Sequence, residues 1–200
     1  MIAACIAGTA KLLTGAHAHW LGCMPEKKLR VYFANHTSNL DFVLLWAALP
    51  RHLRVATRPV AAHDYWTASP IRLAIAQRIF NAVLIERKKV TRANNPMEPM
   101  LNALRAGDSL IIFPEGGRMA GDGIGEFRGG LFHLARQAPE LEFVPVFIEN
   151  LNRVMPKGEV LPIPILCSVT FGTPLPPVPE EGKAAFLGRA RDALLELSKR

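Results

Sequence analysis

The amino-acid sequence predicts a single α/β domain, with a largely parallel or mixed sheet flanked by helices. Three observations carry this expectation. Short apolar runs alternate with longer helical stretches along most of the 200 residues. Half of the residues are hydrophobic and only 20% are charged, which suits a chain with a real core and excludes disorder. No internal repeat is present, and no linker is long enough to divide the chain in two.

The elements are justified in order. Residues 29–34 read as a strand that runs into Asn35-His36-Thr37-Ser38-Asn39-Leu40-Asp41. Residues 39–49 are apolar enough for a buried helix, stopped by Pro50. A second strand region over 53–62 is loosened by Pro59, and 63–80 is helical, with Pro70 separating a first turn from the rest. Residues 82–86 form a short strand ending at Arg87-Lys88-Lys89, and 96–105 a helix closed by Gly107. Ser109 to Phe113 is a buried strand, followed by a glycine-rich loop through Gly116, Gly117, Gly121, Gly123 and Gly125, then a helix over 129–137. Strands at 142–148 and 165–171, a proline-rich connection and an amphipathic helix over about 181–199 complete the chain.

Residues 1–28 are read apart from 29–200. Met1 to Ala10 is almost wholly apolar, but the run is too short to span a membrane and lacks the positive start of a secretory signal. Two readings fit it: a shallow interfacial helix with Trp20 near head-group level, or an ordinary helix docked on the core.

Twenty-four Lys and Arg against 17 Asp and Glu give a net charge of +7, which favours anionic partners such as nucleic acid, anionic lipid or phosphorylated small molecules. No aromatic-plus-basic face or nucleic-acid motif is present, so nucleic acid is not the expected partner. Three cysteines form no C-x-x-C and leave an odd count, which points to a reducing compartment.

In open α/β sheets ligands gather beyond the carboxyl ends of the strands. Three candidate segments sit there: His36 to Asp41, Glu86 to Lys89, and Glu115 to Arg118. His36 and Asp41, with four residues between them, have the makings of a general base and its orienter. The same residues also read as a helix cap, with Thr37, Ser38 or Asn39 capping and Asp41 favouring the helix dipole. No G-x-S-x-G elbow is present and no cysteine neighbours His36, which favours a substrate hydroxyl over one of the enzyme's own as the group to be activated. Arg87, Arg118 and Arg128 suit a phosphate, and Lys88 and Lys89 a solvated rim. Glu115, directly after a buried strand, is read as orienting the arginines or substrate hydroxyls. His133 is read as a packed histidine and Cys167 as core; His17-x-His19 lacks further metal ligands nearby, and Asn150 to Arg153 reads as a loop.

Asn35-His36-Thr37-Ser38 with Asp41 resembles the first motif of the glycerolipid acyltransferases that acylate lysophosphatidic acid. Val83-Leu84-Ile85-Glu86-Arg87 is similar to their second motif, Phe113-Pro114-Glu115-Gly116-x-Arg118 to their third, and Val144-Pro145-Val146 to their fourth. Phe127-Arg128-Gly129-Gly130 is similar to a basic element between the last two. The resemblance spans roughly residues 30–150 in the family's order, and makes 29–200 an acyltransferase domain.

It implies transfer of a fatty acyl group from a thioester of coenzyme A or acyl carrier protein to a lysophospholipid hydroxyl, above all that of 1-acyl-sn-glycerol-3-phosphate. His36 would be the base and Asp41 its orienter, with no covalent enzyme intermediate. Arg87, Glu115, Gly116, Arg118 and Arg128 would bind the glycerol phosphate. No metal or cofactor is implied beyond the acyl thioester co-substrate, and the expected place of work is the cytoplasmic face of a membrane, as a peripheral protein. Gly117 departs from the Thr or Ser usual in the third motif, and the chain is short at its N-terminus for this family. Another lysolipid acceptor, such as an amino-acid-containing one, therefore stands as an alternative, as does a non-enzymatic basic lipid-binding module.

Overall fold

The computed structural model describes residues 2–38, 40–87, 91, 94–119, 123–150, 166–176 and 178–199. The chain runs through α1 (Ile2–Thr14), β1 (His17–Trp20), β2 (Arg30–Ala34), α2 (Asp41–Ala48), α3 (Arg51–Arg54) and β3 (Thr57–Ala62). It continues through α4 (His63–Trp66), α5 (Pro70–Arg78), β4 (Val83–Ile85), α6 (Met97–Arg105) and β5 (Ser109–Ile112). It ends with α7 (Gly130–Gln137), β6 (Glu142–Glu149), β7 (Ser168–Phe171) and α8 (Lys183–Ser198).

Seven strands form one sheet in the order β1-β7-β6-β2-β5-β3-β4. The five from β6 to β4 are mutually parallel, so their carboxyl ends share one edge. β7 runs antiparallel to β6, and β1 runs parallel to β7. The α/β expectation holds, in its mixed form.

β2 shows why the sheet is covered on both faces. All five of its residues are buried, which period-2 geometry permits only if both faces are packed. Tyr32 and Ala34 join a core with Leu44 and Leu45 of α2, whereas Val31 and Phe33 join one with Leu104 of α6, Leu134 of α7 and Phe186 of α8. At the amino ends of the strands, buried Arg30 donates from Nε to Glu142 at 2.8 Å and from Nη1 to the Met24 carbonyl at 2.8 Å.

Several elements differ from expectation. The region 53–62 splits: Pro50 starts the short helix α3, and the strand begins only at Thr57. Pro59 is tolerated inside β3 because pairing with β5 covers Thr57 to Pro59 and pairing with β4 starts at Val60. The strand expected over 165–171 is found over Ser168–Phe171, residue 165 lying outside the described residues.

α1 stops at Thr14, Gly15 takes a left-handed φ of +54°, and the chain turns into β1, a strand not expected from the sequence. β1 pairs along its length with β7, so residues 17–20, read apart from the domain, belong to the domain's own sheet. Trp20 lies flat on Phe171, with ring centroids 3.9 Å apart. α1 docks by Ile6, Ala7 and Ala10 and leaves Leu12 84% exposed. No helix among the described residues is long and apolar enough to cross a membrane.

Candidate functional site

β2 delivers His36 to the shared carboxyl edge. The preceding residue fixes its approach: the buried Asn35 amide donates to the Ile148 carbonyl at 2.9 Å and accepts from the Ile148 N–H at 2.8 Å. This ties the loop to β6.

Asp41 is the first residue of α2 and fully buried. Its Oδ2 stands 2.8 Å from Nδ1 of His36 and also accepts the N–H groups of Thr37 (2.6 Å) and Ser38 (2.8 Å). Among the described residues no side chain caps α2 at Leu40, and the carboxylate reaches back to satisfy the preceding turn. The helix-cap reading is not met by Thr37 or Ser38, and Asn39 lies outside the described residues; Oδ2 of Asp41 serves the turn that carries His36. Because a carboxylate only accepts, Nδ1 carries a proton in this contact, and the neutral ring would then keep its lone pair on Nε2. The His36 side chain is 21% exposed and stacks on Phe113 with centroids 4.4 Å apart. Oδ1 of Asp41 has no hydrogen-bond partner among the described residues.

Glu115 is buried and spends both oxygens on backbone. Oε1 accepts the His36 N–H at 2.9 Å and Oε2 the Gly125 N–H at 3.1 Å. Burial pushes its carboxyl above the usual range, against the pull of those two amides. Its carboxylate bonds no arginine side chain among the described residues; it anchors the loop that holds His36. The His36 carbonyl in turn accepts the Met119 N–H at 2.8 Å.

Gly116 follows in a tight turn with φ +70°, its N–H donating to the Phe113 carbonyl. A Cβ there would come within 2.6 Å of Cδ and Nε of Arg128, so glycine is required twice over. Arg128 donates from its backbone N–H to the Pro114 carbonyl at 2.8 Å and from Nε to the Glu115 carbonyl at 3.1 Å. Arg87 reaches the Gly116 carbonyl from Nη1 at 3.4 Å and pairs with Asp64 of α4 at 3.2 Å. Arg118 is exposed and makes no hydrogen bond or ion pair among the described residues. At Gly117 an added Cβ would meet open space. Lys88 and Lys89 lie outside the described residues, as do residues 151–153 of the expected 150–153 loop.

His36, Arg87, Gly116, Gly117 and Arg118 contribute to the wall of a cavity of about 390 Å³. The rest is largely apolar, drawn from β3, β4, β5, the helices α2, α4 and α5 and the turn after α5, with Phe42, Trp66, Ala76 and Phe80 among it. Phe42 packs edge-on against Trp66 and Phe80, at 5.7 and 4.9 Å. Sequence reasoning missed this wall. The available signal was the recurrence of aromatic residues at 42, 65, 66 and 80, in the stretch between the first and second motif segments.

Other candidates fall elsewhere. His133 is exposed rather than packed: the buried stripe of α7 is Leu131, Leu134 and Ala135, and residue 133 lies off it. Cys167 is buried one residue before β7; burial, with the charges of Asp41 and Glu149, pushes its thiol up to about 11. His17 and His19 are exposed on β1, and no group of three or more His, Cys, Asp or Glu that could hold a metal occurs among the described residues.

Comparison with known proteins agrees with this geometry. The acyltransferase family profile matches residues 20–149, a span that includes His36, Asp41, Arg87, Glu115, Gly116, Arg118 and Arg128. The 1-acyl-sn-glycerol-3-phosphate acyltransferases alpha of Ovis aries and Homo sapiens are each 30% identical, over 160 and 178 residues. These alignments cover 79% and 86% of this chain, and 52% and 59% of the relatives. A probable 1-acyl-sn-glycerol-3-phosphate acyltransferase of Mycoplasma pneumoniae is 32% identical over 124 residues, 60% of this chain and 43% of its own. The chain thus spans about half the length of these curated relatives. The crystal structure of the 1-acyl-sn-glycerophosphate (LPA) acyltransferase PlsC from Thermotoga maritima superposes with a TM-score of 0.76, covering 100% of this chain and 79% of that one at 18% identity. At that identity it establishes the shared fold. With motif residues gathered at one sheet edge and the profile matched across most of the domain, the chain belongs to the acyltransferase family.

Proposed function

We propose that this chain is an O-acyltransferase that moves a fatty acyl group from an acyl-CoA or acyl carrier protein thioester to the free hydroxyl of 1-acyl-sn-glycerol-3-phosphate, giving phosphatidic acid. The observation that carries this reading is the His36–Asp41 contact, with His36 on the wall of a largely apolar cavity. A base beside an apolar chamber suits a substrate with a long hydrocarbon tail and one reactive polar end.

In this mechanism Nε2 of His36 takes the proton of the acceptor hydroxyl as its oxygen attacks the thioester carbonyl. Asp41 holds the ring through Nδ1 and stabilises the imidazolium that forms. The tetrahedral intermediate collapses, the carbon–sulfur bond breaks, and the proton passes from His36 to the leaving thiolate. A thioester is already an activated donor, so direct transfer needs no acyl-enzyme. Arg118 and Arg87, with the backbone of Gly116 and Gly117, offer charge and donors to the acceptor phosphate. The lipid acceptor and product set the work at a membrane surface, where a net charge of +7 favours anionic head groups.

A second acceptor reading rests on Gly117, where open space stands in place of a side chain. It admits a head group larger than glycerol phosphate, such as that of an amino-acid-containing lysolipid. One experiment separates these readings: purified protein is incubated with acyl-CoA and a panel of lysolipids, following thiol release and lipid product. Release that depends on lysophosphatidic acid supports the proposal, and dependence on another lysolipid supports the second reading. Thiol release without acceptor would mean a thioesterase, and none with any lysolipid a binding module.

A further inference from the structure

α8 lies beyond the residues matched by the family profile, yet one of its side chains reaches the site's loop. Arg191 is half-buried. It donates from Nε to the Gly125 carbonyl at 3.1 Å and from Nη2 to the Ile124 carbonyl at 2.9 Å. A planar guanidinium presents two donors along one edge and so spans successive carbonyls, which a lysine ammonium does not match. α8 itself is a firm base, since Phe186, Ala190 and Leu194 bury one of its faces.

Gly125 is thereby gripped from both sides. Its carbonyl accepts from Arg191, and its N–H donates to Oε2 of Glu115, whose other oxygen holds the backbone N–H of His36. The contact is close-fitting: a Cβ on Gly125 would lie 2.9 Å from Oε2 of Glu115 and 2.8 Å from Sδ of Met119. Met119 N–H, in the same loop, donates to the carbonyl of His36. The main chain of His36 is therefore held on both its N–H and its C=O by groups whose position depends on this loop.

We propose that Arg191 is a positioning residue for acyl transfer, acting through Gly125 and Glu115 to fix the backbone of His36 and the Gly116–Arg118 turn. This rests on the reading of His36 as the base. The geometry asks for a fork with two donors at position 191, not simply a positive charge there.

The test compares wild type, Arg191→Lys and Arg191→Met in the full chain. Thermal midpoint, amide hydrogen exchange at His36 and Gly125, and steady-state kinetics for donor and acceptor are read on the same samples. The expected result is a folded Arg191→Met protein whose kcat falls about tenfold, because sub-ångström displacement of a base is felt in the rate. Exchange at both amides should accelerate, the acyl-donor KM should stay unchanged, and Arg191→Lys should recover only part of the rate. Unchanged kcat in folded Arg191→Met overturns the proposal, as does a loss that tracks the unfolded fraction alone or full recovery by lysine. If wild type transfers no acyl group with any acceptor, the catalytic reading of the site has failed. An active wild type with unaltered exchange in Arg191→Met overturns the Arg191 role by itself.

Discussion

Oδ2 of Asp41 stands 2.8 Å from Nδ1 of His36 and holds the amides of Thr37 and Ser38 with the same atom. One oxygen therefore sets both the ring's tautomer and the turn that carries the ring. The two jobs come apart under mutation. His36→Ala should lower acyl transfer by about 10²–10⁴-fold, with the thermal midpoint close to wild type, since the ring is partly open and beyond Asp41 its contact is the stack on Phe113. Asp41→Asn should lose a comparable share of rate and also destabilise the fold by about 1–3 kcal/mol, because a neutral amide accepts more weakly in a buried turn. Steady-state rates and denaturation curves on the pair check both; full activity in His36→Ala would remove it as the base.

Gly116 and Gly117 are neighbours with opposite tolerance. Gly116→Ala places a side chain at φ +70° and against Arg128, and should cost about 1–3 kcal/mol together with a higher acceptor KM. Gly117→Thr enters open space, so its thermal midpoint should stay near wild type while the ranking of lysolipid head groups changes. A changed fold in Gly117→Thr, or an unchanged head-group ranking, would remove Gly117 from acceptor selection.

Ala76 is fully buried and forms part of the apolar cavity wall. Ala76→Phe should fill part of that space and shift donor preference toward shorter acyl chains, each excluded methylene forfeiting about 0.8 kcal/mol of burial. Competition between acyl-CoA donors of graded length measures this. An unaltered length profile would mean that the hydrocarbon lies elsewhere.

Glu142 links stability to pH. Its partial burial opposes ionisation, but the bond and charge of Arg30, with Lys28, more than offset this and hold the carboxyl below its usual range. Its folded pKa thus lies below its unfolded one. The stabilising contribution is complete above the ordinary carboxylate pKa and is lost as pH falls through the depressed value. Denaturation curves across the acid range should show Glu142→Gln less stable than wild type near neutrality, with the gap closing at low pH. A gap that stays constant across that range would rule out this linkage.

Much of this architecture is legible in the sequence, for physical reasons. Buried parallel strands such as Ser109–Ile112 declare themselves as apolar runs, and their ends carry the chemistry, so His36, Glu115 and Arg118 fall at one edge once the strands are aligned. The contact between His36 and Asp41 is local and shows in the spacing. β1 is not legible, because His17-Ala18-His19-Trp20 is short and mostly exposed and becomes a strand only by pairing with β7. The role of Glu115 is hidden too: its partners are main-chain amides, which leave no mark on residue type. Arg191 is more hidden still, since its two acceptors are carbonyls some 66 residues earlier. The apolar chamber is assembled from pieces of several helices and strands, none of which shows a periodic signal for a cavity.

The residues around that chamber all fall between His36 and Arg118, and among the described residues β6, β7 and α8 supply none of its wall. The chain is thus divided between a vessel and a frame. Among the described residues, the strands and helices after the glycine-rich loop complete the sheet and cover it. Differences in what such proteins accept should therefore be written in the first of these stretches, while the second is free to change so long as it keeps its grip.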